Sequence, residues 1–151
     1  MSLPDVAALA ALHAECFSTP RPWSANEFSD LLGLNGVYLC GDAQGFVMGR
    51  ALWGEAELLT LAVAPALRRQ GRARALLLAF EEAALLRGAE TAFLEVAVEN
   101  APARALYAAQ GWLPQGRRKG YYRHPDGRVE DAVIMTRALA PASPSDIRPS
   151  G

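Results

Sequence analysis

Cysteine is scarce in the 151-residue sequence, which contains only Cys16 and Cys40. Neither belongs to a CxxC or Cys/His spacing, which argues against a metal site and a disulfide framework and predicts two buried thiols in a reducing compartment. Long apolar runs are also lacking, since none reaches the roughly 18–20 residues that span a bilayer. The N-terminus has no basic segment followed by an apolar one, so no signal peptide is expected. These absences predict a cytoplasmic protein.

An excess of charge of either sign is missing as well. The sequence has 15 lysines and arginines against 16 aspartates and glutamates, so no overall field attracts nucleic acid or an anionic membrane. Hydrophobic residues make up 51% and charged residues 21%, proportions that are ordinary for a folded globular domain. We therefore predict one domain over residues 1–139 and a disordered tail, rich in Pro and Ser, over residues 140–151.

Helical and strand patterns alternate along this domain. Ser24 and Glu27 form the capping-box pattern that opens a helix, and Ser2 and Asp5 are a possible capping pair for the first helix. The predicted helices cover 4–16, 24–33, 71–87 and 101–110. The predicted strands cover 37–41, 45–52, 56–63, 91–98, 112–122 and 131–139. The fourth strand is almost continuously apolar, so we expect it to be covered on both faces.

The order of these elements predicts the fold class. Strand, helix and strand over 56–98 require a right-handed parallel crossover, whereas the short turns between the first three strands favour antiparallel hairpins. A turn at Pro125, Asp126 and Gly127 joins the last two strands. The fold is therefore α/β or α+β, with a mixed, mostly antiparallel sheet and one central parallel crossover flanked by helices.

The start of the third helix carries four arginines, Arg68, Arg69, Arg72 and Arg74. Cations at a helix N-terminus oppose the helix dipole, so this arrangement calls for a compensating anion. Free N–H groups of a first turn bind phosphate, and the small Gly71 lets a ligand approach the backbone closely. The patterns GxxxxGK[ST] and GxGxxG are both absent. A phosphate-binding turn is one interpretation, and a solvated basic turn is the alternative.

Glu95 stands in the middle of the apolar strand 91–98. Burial disfavours a charged carboxylate, so we expect the pKa of Glu95 to lie above its usual value of about 4.3. A carboxylate of this kind suits a general base that works at neutral pH. The alternative is a glutamate at the edge of the sheet that faces water or pairs with an arginine.

The segment after this strand combines a helix cap with an aromatic pair. Asn100 can cap the following helix, and Pro102 is tolerated in its first turn. Tyr107 lies near the end of that helix and is followed by Gly111 and Trp112. Taken alone, Tyr107 is more often a core aromatic with a satisfied hydroxyl than a general acid.

These segments, in this order, resemble the GNAT superfamily of N-acetyltransferases over residues 4–139. The phosphate loop of that family, R/Q-x-x-G-x-G/A, is matched by Arg68, Gly71 and Ala73. Its second signature is matched by Asn100, Tyr107, Gly111 and Trp112. Within the superfamily the sequence is similar to the RimI-type ribosomal-protein-alanine N-acetyltransferases. That likeness rests on Pro22-Trp23-Ser24, Leu94-Glu95-Val96, Ala105-Leu106-Tyr107, Arg117-Arg118 and Tyr121-Tyr122.

The resemblance implies a reaction and the residues that carry it. The acetyl group of acetyl-CoA would pass directly to an amine, with Glu95 as general base through a water and Tyr107 as general acid. The acceptor would be the α-amine of a protein N-terminus, above all the N-terminal alanine of a small-subunit ribosomal protein. Strand backbone would pair with the pantetheine arm, and loop N–H groups would hold the pyrophosphate. The residues implied for acetyl-CoA are Leu61, Ala62, Val63, Arg68, Arg69, Gln70, Gly71, Arg72, Ala73, Arg74, Asn100 and Tyr107.

Two departures from the family's pattern concern the sheet and the acceptor side. The family opens with a strand, but only residues 1–3 precede the first helix, so the first strand is expected to be truncated. The turn after Tyr122 is longer than the family's, and Val129 separates Arg128 from Glu130. That turn lies in the region expected to meet the substrate, so it bears on peptide specificity.

Two other functions stay open from the residues alone. One is a GNAT enzyme that acts on a small amine or on another protein. The other is a non-catalytic acetyl-CoA sensor, against which the presence of both Glu95 and Tyr107 argues. Neither a membrane nor a sequence-specific nucleic acid is expected as a partner, and the basic run 117–119 is interpreted as a solvated face.

Four further polar residues carry weaker hypotheses. His13 in the first helix and His124 in a turn have no plausible partner spacing and are expected to be structural. Glu55 and Glu57 lie in the hairpin before the strand expected to bind the cofactor. There they either receive a basic peptide or form a plain exposed turn.

Overall fold

The computed structural model describes residues 5–17 and 21–139. The expected truncation of the first strand at residues 1–3, the Ser2 cap and the expected tail at 140–151 lie outside these residues. The helices are α1 Val6–Cys16, α2 Ala25–Leu32, α3 Arg72–Leu86 and α4 Ala101–Ala109. The strands are β1 Val37–Asp42, β2 Gly45–Leu52, β3 Glu55–Val63, β4 Thr91–Ala97, β5 Leu113–Arg123 and β6 Val129–Ala138. The sequence therefore predicted every one of these elements to within two residues at each end.

The six strands form one sheet in the order β1-β2-β3-β4-β6-β5. Only β3 and β4 run parallel, and α3 connects them, so the predicted crossover within a mostly antiparallel sheet is confirmed. One face of the sheet packs on a core that includes Leu77 and Phe80 of α3 and Trp112 after α4. The other face packs on a second core built around Leu12 of α1 and Phe28 of α2. The sheet is thus a layer between two pairs of helices.

Local capping fixes where the first two helices begin. The Asp5 carboxylate accepts hydrogen bonds from the backbone N–H groups of Ala7 and Ala8, at 3.1 and 3.2 Å. The predicted capping box of α2 is complete, because Glu27 N–H donates to Ser24 Oγ at 3.2 Å and Ser24 N–H donates to Glu27 Oε1 at 2.9 Å. Side chains that satisfy first-turn N–H groups stabilise a helix by roughly 1 kcal/mol each, so these starts are encoded locally.

A β-bulge in β3 shapes the centre of the sheet. Met48 of β2 pairs with Thr60, but Gly49 pairs with Leu58, so β3 has one extra residue at this point. Because successive side chains of a strand alternate between faces, one extra residue reverses which face the later side chains occupy. Leu58 accordingly belongs to the core under α3, whereas Ala62 belongs to the core under α1 and α2.

The parallel pairing between β3 and β4 is short. It joins Glu55, Ala56 and Glu57 of β3 to residues 91–93 of β4 and goes no further among the described residues. The remaining part of β3 pairs with β2 on one side only. The two central strands therefore separate beyond Glu57 and leave an opening in the sheet.

Two expectations about burial are wrong. Side chains of β4 alternate between buried and half-buried positions, with Glu95 half-buried, so the strand is fully covered on one face only. The reason is that α1 contacts β3 and α2 contacts β1, so these helices cover the other half of that face. Cys16 and Cys40 are free, as predicted, but they are half-buried rather than buried. In the described part of the chain, no helix has both the length and the apolar character needed to cross a membrane.

Candidate active site

A cleft of about 190 Å³ occupies the opening between β3 and β4. Its walls come from both sides of the sheet, because residues of α1 and the segment after it line one end and residues of α4 line the other. The lining residues that matter most below are His13, Trp23, Thr60, Glu95, Asn100 and Tyr107. The fold thus brings together the two residues predicted as base and acid, together with the predicted helix cap.

Glu95 of β4 points into this cleft with only 12% of its side chain exposed. Its Oε1 atom lies 3.3 Å from Nε of Arg118, so the arginine pairing left open by the sequence is present. Its Oε2 atom is buried and finds no hydrogen-bond partner among the residues that the structure describes. A buried carboxylate oxygen without a partner is costly, and it is free to accept a proton from a bound group.

A second bulge brings Arg118 to Glu95. The pairing of β5 with β6 runs from Arg118–Ala132 to Tyr122–Glu130, so β5 has extra residues between these pairs. The carboxylate of Asp131 holds this bulge, accepting from Gly120 N–H and from Arg117 Nε, both at 2.9 Å. The hydrogen bond from Gly120 and the charge of Arg117 lower the pKa of Asp131. The basic run is exposed, as expected, but both of its arginines are ion-paired.

Two tyrosines of the same bulge border Glu95, and sequence reasoning used them only for the family likeness. The Tyr122 hydroxyl donates to the backbone carbonyl of Glu95 at 3.3 Å, and Tyr122 lines the cleft. Burial raises the pKa of Tyr121, and the nearby Glu95 carboxylate adds to the effect. The sequence gave no signal that the two tyrosines lie next to Glu95, because the bulge in β5 sets their position.

Tyr107 packs as a core aromatic and also lines the cleft, so its predicted role as general acid stays a prediction. Its ring is 8% exposed and packs 6.0 Å from the ring of Trp112, as a core aromatic does. It also lines the cleft, on the α4 side. Burial raises the pKa of Tyr107 to about 12, so the phenol keeps its proton at neutral pH and is able to donate it.

The predicted phosphate loop forms a separate hollow of about 220 Å³ beside the N-terminus of α3. Arg69 and Gly71 both have positive φ angles, 64° and 77°, which turn successive backbone N–H groups toward one side. A Cβ added at Gly71 would meet nothing within 4 Å, so space for a ligand lies beside the backbone. No side chain of the described residues caps the first turn of α3. The turn therefore has free donors, as a phosphate site requires.

Arg68 differs from the other arginines of this loop. Its Nε donates to the carbonyl of Val63 at 3.2 Å, and its Nη2 lies 3.3 Å from Sγ of Cys16. Arg68 thus ties the end of β3 to α1. Arg72 and Arg74 are exposed and line the hollow.

Asn100 caps α4 as the sequence predicted. Its Oδ1 accepts from Ala103 N–H at 3.2 Å, and its side chain also lines the cleft. The expected contact of Asn100 with the pantetheine arm stays a prediction.

His124 was expected to lack a partner, and that expectation is wrong. Its Nε2 lies 2.8 Å from Oε1 of the buried Glu130, whose Oε2 accepts from Glu99 N–H at 2.7 Å. The cluster fastens the segment between β4 and α4 to the hairpin of β5 and β6. The turn between those strands is tight, since His124 N–H donates to the Arg128 carbonyl at 2.8 Å.

Glu55 and Glu57 line a further cavity of about 270 Å³ next to the cleft, with the 95% exposed Trp53 at its mouth. Burial raises the pKa of Glu57, and the neighbouring Glu95 carboxylate adds to the effect. Glu55 is exposed and Glu57 half-buried. Their interpretation as receivers of a basic peptide stays a prediction.

His13 is buried, as expected for a structural histidine, and it has two hydrogen-bond partners that its position in the sequence did not suggest. It is 1% exposed. Trp23 N–H donates to its Nδ1 at 3.0 Å, and its Nε2 lies 3.0 Å from Thr60 Oγ1. Burial lowers the pKa of His13 from 6.5 to about 4, and the opposing charge of Glu27 does not offset it.

Stability should therefore fall as the pH drops. Because the folded protein disfavours protonated His13, the unfolded chain binds the proton more readily between pH 6.5 and 4. The contribution is fully present above pH 6.5 and is lost toward pH 4. We expect roughly 3 kcal/mol of unfolding free energy to disappear over that range, measured by urea unfolding at several pH values. A flat profile from pH 6.5 to 4.5 would contradict the assignment.

Comparison with known proteins agrees with this geometry. A sequence profile described as the Acetyltransferase (GNAT) family matches residues 6–112. The [ribosomal protein bS18]-alanine N-acetyltransferase of Escherichia coli (strain K12) is 38% identical over 135 residues, which cover 87% of this chain and 90% of that protein. A putative enzyme of the same description from Bacillus subtilis (strain 168) is 31% identical over 141 residues, covering 89% of this chain and 90% of that protein.

Solved structures show the same relationship. The crystal structure of the ribosomal-protein-S18-alanine N-acetyltransferase from Escherichia coli superposes with a TM-score of 0.81 at 32% identity, covering 95% of this chain and 94% of that chain. Arabidopsis thaliana NAA60 in complex with acetyl-CoA has a TM-score of 0.77 at 18% identity, covering 89% and 93%, and so shares the fold. Because the family profile spans most of the chain and relatives match it over nearly their whole length, the chain belongs to the GNAT family and is an N-acetyltransferase.

Proposed function

We propose that this N-acetyltransferase transfers the acetyl group of acetyl-CoA to the α-amine of a protein N-terminus, preferentially an N-terminal alanine of a ribosomal protein. The observation that carries the proposal is the single cleft in which Glu95, with a free Oε2, and the buried phenol of Tyr107 both stand. The relatives named for alanine acetylation of ribosomal protein bS18 support the choice of acceptor.

The basicity of the acceptor also favours an α-amine over a lysine. An α-amine has a pKa near 7.7–8.0 and a lysine near 10.4, a difference of about 2.5 units. Removing the proton at neutral pH is then easier by about 3.5 kcal/mol for the α-amine. One carboxylate base, such as Glu95, suffices for that task.

Three features of the chain fit acetyl-CoA. The edge of β3 over Leu61, Ala62 and Val63 has no strand partner on the side of β4 among the described residues, so its backbone groups are able to pair with the amides of a pantetheine arm. The hollow beside Gly71 offers space and free N–H donors for a pyrophosphate. The residues that line the hollow and are proposed to hold the pyrophosphate are Arg68, Arg69, Gly71, Arg72, Ala73 and Arg74. Gln70 does not line the hollow and is proposed only as a backbone N–H donor next to it. Asn100, which lines the cleft, is proposed to contact the pantetheine arm.

The reaction needs two proton transfers, and Glu95 and Tyr107 of the cleft would carry one each. Glu95, through a water, takes a proton from the acceptor's ammonium group, and its pairing with Arg118 keeps the carboxylate oriented. Tyr107, whose pKa is raised to about 12, donates a proton to the leaving thiolate. Acetyl-CoA supplies the activated thioester that the free amine attacks. Tyr122 of the β5 bulge lines the cleft beside Glu95.

Mass spectrometry of peptides tests the acceptor. The purified protein and acetyl-CoA would be incubated with a short basic peptide that begins with alanine, and with the same peptide whose N-terminus is blocked while its lysines stay free. We expect one added acetyl group on the open peptide alone. Acetylation of the blocked peptide would contradict the proposal, and activity only on polyamines or aminoglycosides would support the small-amine alternative.

Replacing Tyr107 by phenylalanine should lower kcat by roughly 10²-fold, because the leaving thiolate loses its proton donor while the ring packing against Trp112 is kept. Steady-state kinetics at saturating acetyl-CoA measures the change. Tyr38→Phe is the matched control, since the Tyr38 hydroxyl donates to the Phe80 carbonyl at 3.0 Å, away from the cleft. Equal kcat values for the two variants would remove Tyr107 from its proposed role.

A further inference from the structure

The proposed mechanism leaves one buried polar pair unused, His13 and Thr60. Both line the cleft, and both are almost fully buried, at 1% and 7% exposure. They come from α1 and β3, which are far apart in the chain. This hydrogen-bonded pair therefore stands at the wall of the cleft, where it is able to orient a neighbouring group.

The hydrogen bonds of His13 define its tautomer. Trp23 N–H can only donate, so Nδ1 of His13 must accept and carry no proton. The neutral ring then has its hydrogen on Nε2, and that hydrogen is donated to Thr60 Oγ1 at 3.0 Å. His13 is further held by the stacked ring of Trp23, at 4.9 Å, and by the ring of Phe17, at 4.4 Å. The imidazole therefore has one orientation and one protonation state.

Thr60 lies in the part of β3 that borders the cleft. It is the first residue of β3 beyond the extra residue of the bulge, where the strand has changed face and has left β4. A hydroxyl is both one donor and an acceptor. Because Oγ1 accepts from His13, the hydroxyl hydrogen of Thr60 is left for another partner, and none is found for it among the residues that the structure describes.

We infer that His13 and Thr60 are positioning residues: the imidazole holds β3 just beyond its bulge and directs the Thr60 hydroxyl hydrogen to a carbonyl oxygen of the acyl-CoA in the cleft. This inference rests on the proposed function only in taking the cleft as the acyl-CoA site. The hydroxyl would bind either the thioester carbonyl or an amide carbonyl of the pantetheine arm, and the two are separable by experiment.

The first test reads the tautomer without any ligand or activity. Long-range ¹H–¹⁵N NMR of the wild-type protein at pH 7 distinguishes a protonated Nε2 from a protonated Nδ1. We expect His13 to show the Nε2–H form, and to keep it through the pH range in which a free imidazole would titrate. An Nδ1–H form, or a ring exchanging between the two, would overturn the arrangement.

The second test measures affinity by calorimetry. Thr60→Val removes the hydroxyl and keeps the branched shape, so the Kd for acetyl-CoA should rise roughly three- to tenfold. Thr60→Ser keeps the hydroxyl and should restore wild-type affinity. Thr136→Val, a like substitution in β6 outside the cleft, should leave the Kd unchanged and controls for the general effect of valine in the sheet.

The ligand used separates the possible outcomes. If Thr60→Val weakens acetyl-CoA but not CoA, the hydroxyl binds the thioester carbonyl, and if it weakens both, the hydroxyl binds the pantetheine arm. A Thr60→Val protein that binds acetyl-CoA as tightly as wild type would overturn the inference. A wild-type protein that binds acetyl-CoA but acetylates no α-amine would contradict the proposed acceptor alone, since the NMR and affinity results do not depend on it.

Discussion

Replacing Glu95 by glutamine is expected to lower kcat by roughly 10²–10⁴ while leaving acetyl-CoA binding intact. Glutamine has nearly the same shape and can still accept a hydrogen bond from Arg118, so the cleft keeps its structure. What is lost is the carboxylate whose Oε2 is buried without a partner in the described chain. Among the described residues that line the cleft, Glu95 carries the only carboxylate, so the variant loses the proposed base for the acceptor's ammonium group.

Kinetics with the alanine-initiated peptide and calorimetry with acetyl-CoA measure the two halves of this prediction. Glu90→Gln is the matched control, because Glu90 is exposed and directly precedes the same strand. Its kcat should equal that of the wild type. Full activity of the Glu95→Gln enzyme would show that the proton leaves by another route.

Replacing Glu81 by alanine should reduce the free energy of unfolding by roughly 3–5 kcal/mol, because one partner of a buried ion pair is removed. Glu81 of α3 is 7% exposed. Its Oε1 accepts from Arg137 Nε at 3.0 Å, and its Oε2 accepts from the indole N–H of Trp112 at 3.1 Å. Arg137 also donates to the carbonyl of Gln110. The substitution therefore leaves the indole N–H of Trp112 without its acceptor, and it leaves the charge of Arg137 without its carboxylate partner.

Urea unfolding at neutral pH measures the loss. The adjacent Glu82 is exposed, so Glu82→Ala changes the same residue type in the same helix and should alter stability by less than about 0.5 kcal/mol. Equal effects of the two substitutions would mean that the network around Glu81 contributes nothing beyond helix propensity.

Local sequence signals were sufficient for the elements of this fold. The capping box of Ser24 and Glu27, and Asn100 before α4, each act within a few residues, and each is found where the pattern placed it. The parallel crossover followed from the order of strand and helix, because a parallel connection has one common hand. The positions of Glu95 and Tyr107 in one cleft followed from the family likeness and not from the residues alone.

The side-chain contacts that the sequence did not predict depend on which residues of neighbouring strands lie opposite each other. The pairing of Glu95 with Arg118 requires the bulge that Asp131 holds in β5, and no local pattern encodes where extra residues of a strand fall. The partner of His124 is Glu130, which the tight turn of the last hairpin brings opposite to it. Nothing in the local sequence distinguishes Glu81 from the exposed Glu82 next to it. The burial of Glu81 became visible only when Arg137 of β6 was placed beside it.

The separation of β3 from β4 has a consequence for the order of events in turnover. The cleft is lined from α1 on one side of the sheet and from α4 on the other. Under the proposed mechanism, acetyl-CoA and the acceptor amine approach the cleft from different sides of the sheet and are bound at the same time. The proposed direct transfer forms no acetylated enzyme, and the thiol of Cys16 donates to the Val63 carbonyl and accepts from Arg68. Under this proposal, the acetyl group passes to the acceptor amine while acetyl-CoA and the acceptor are both bound to the protein.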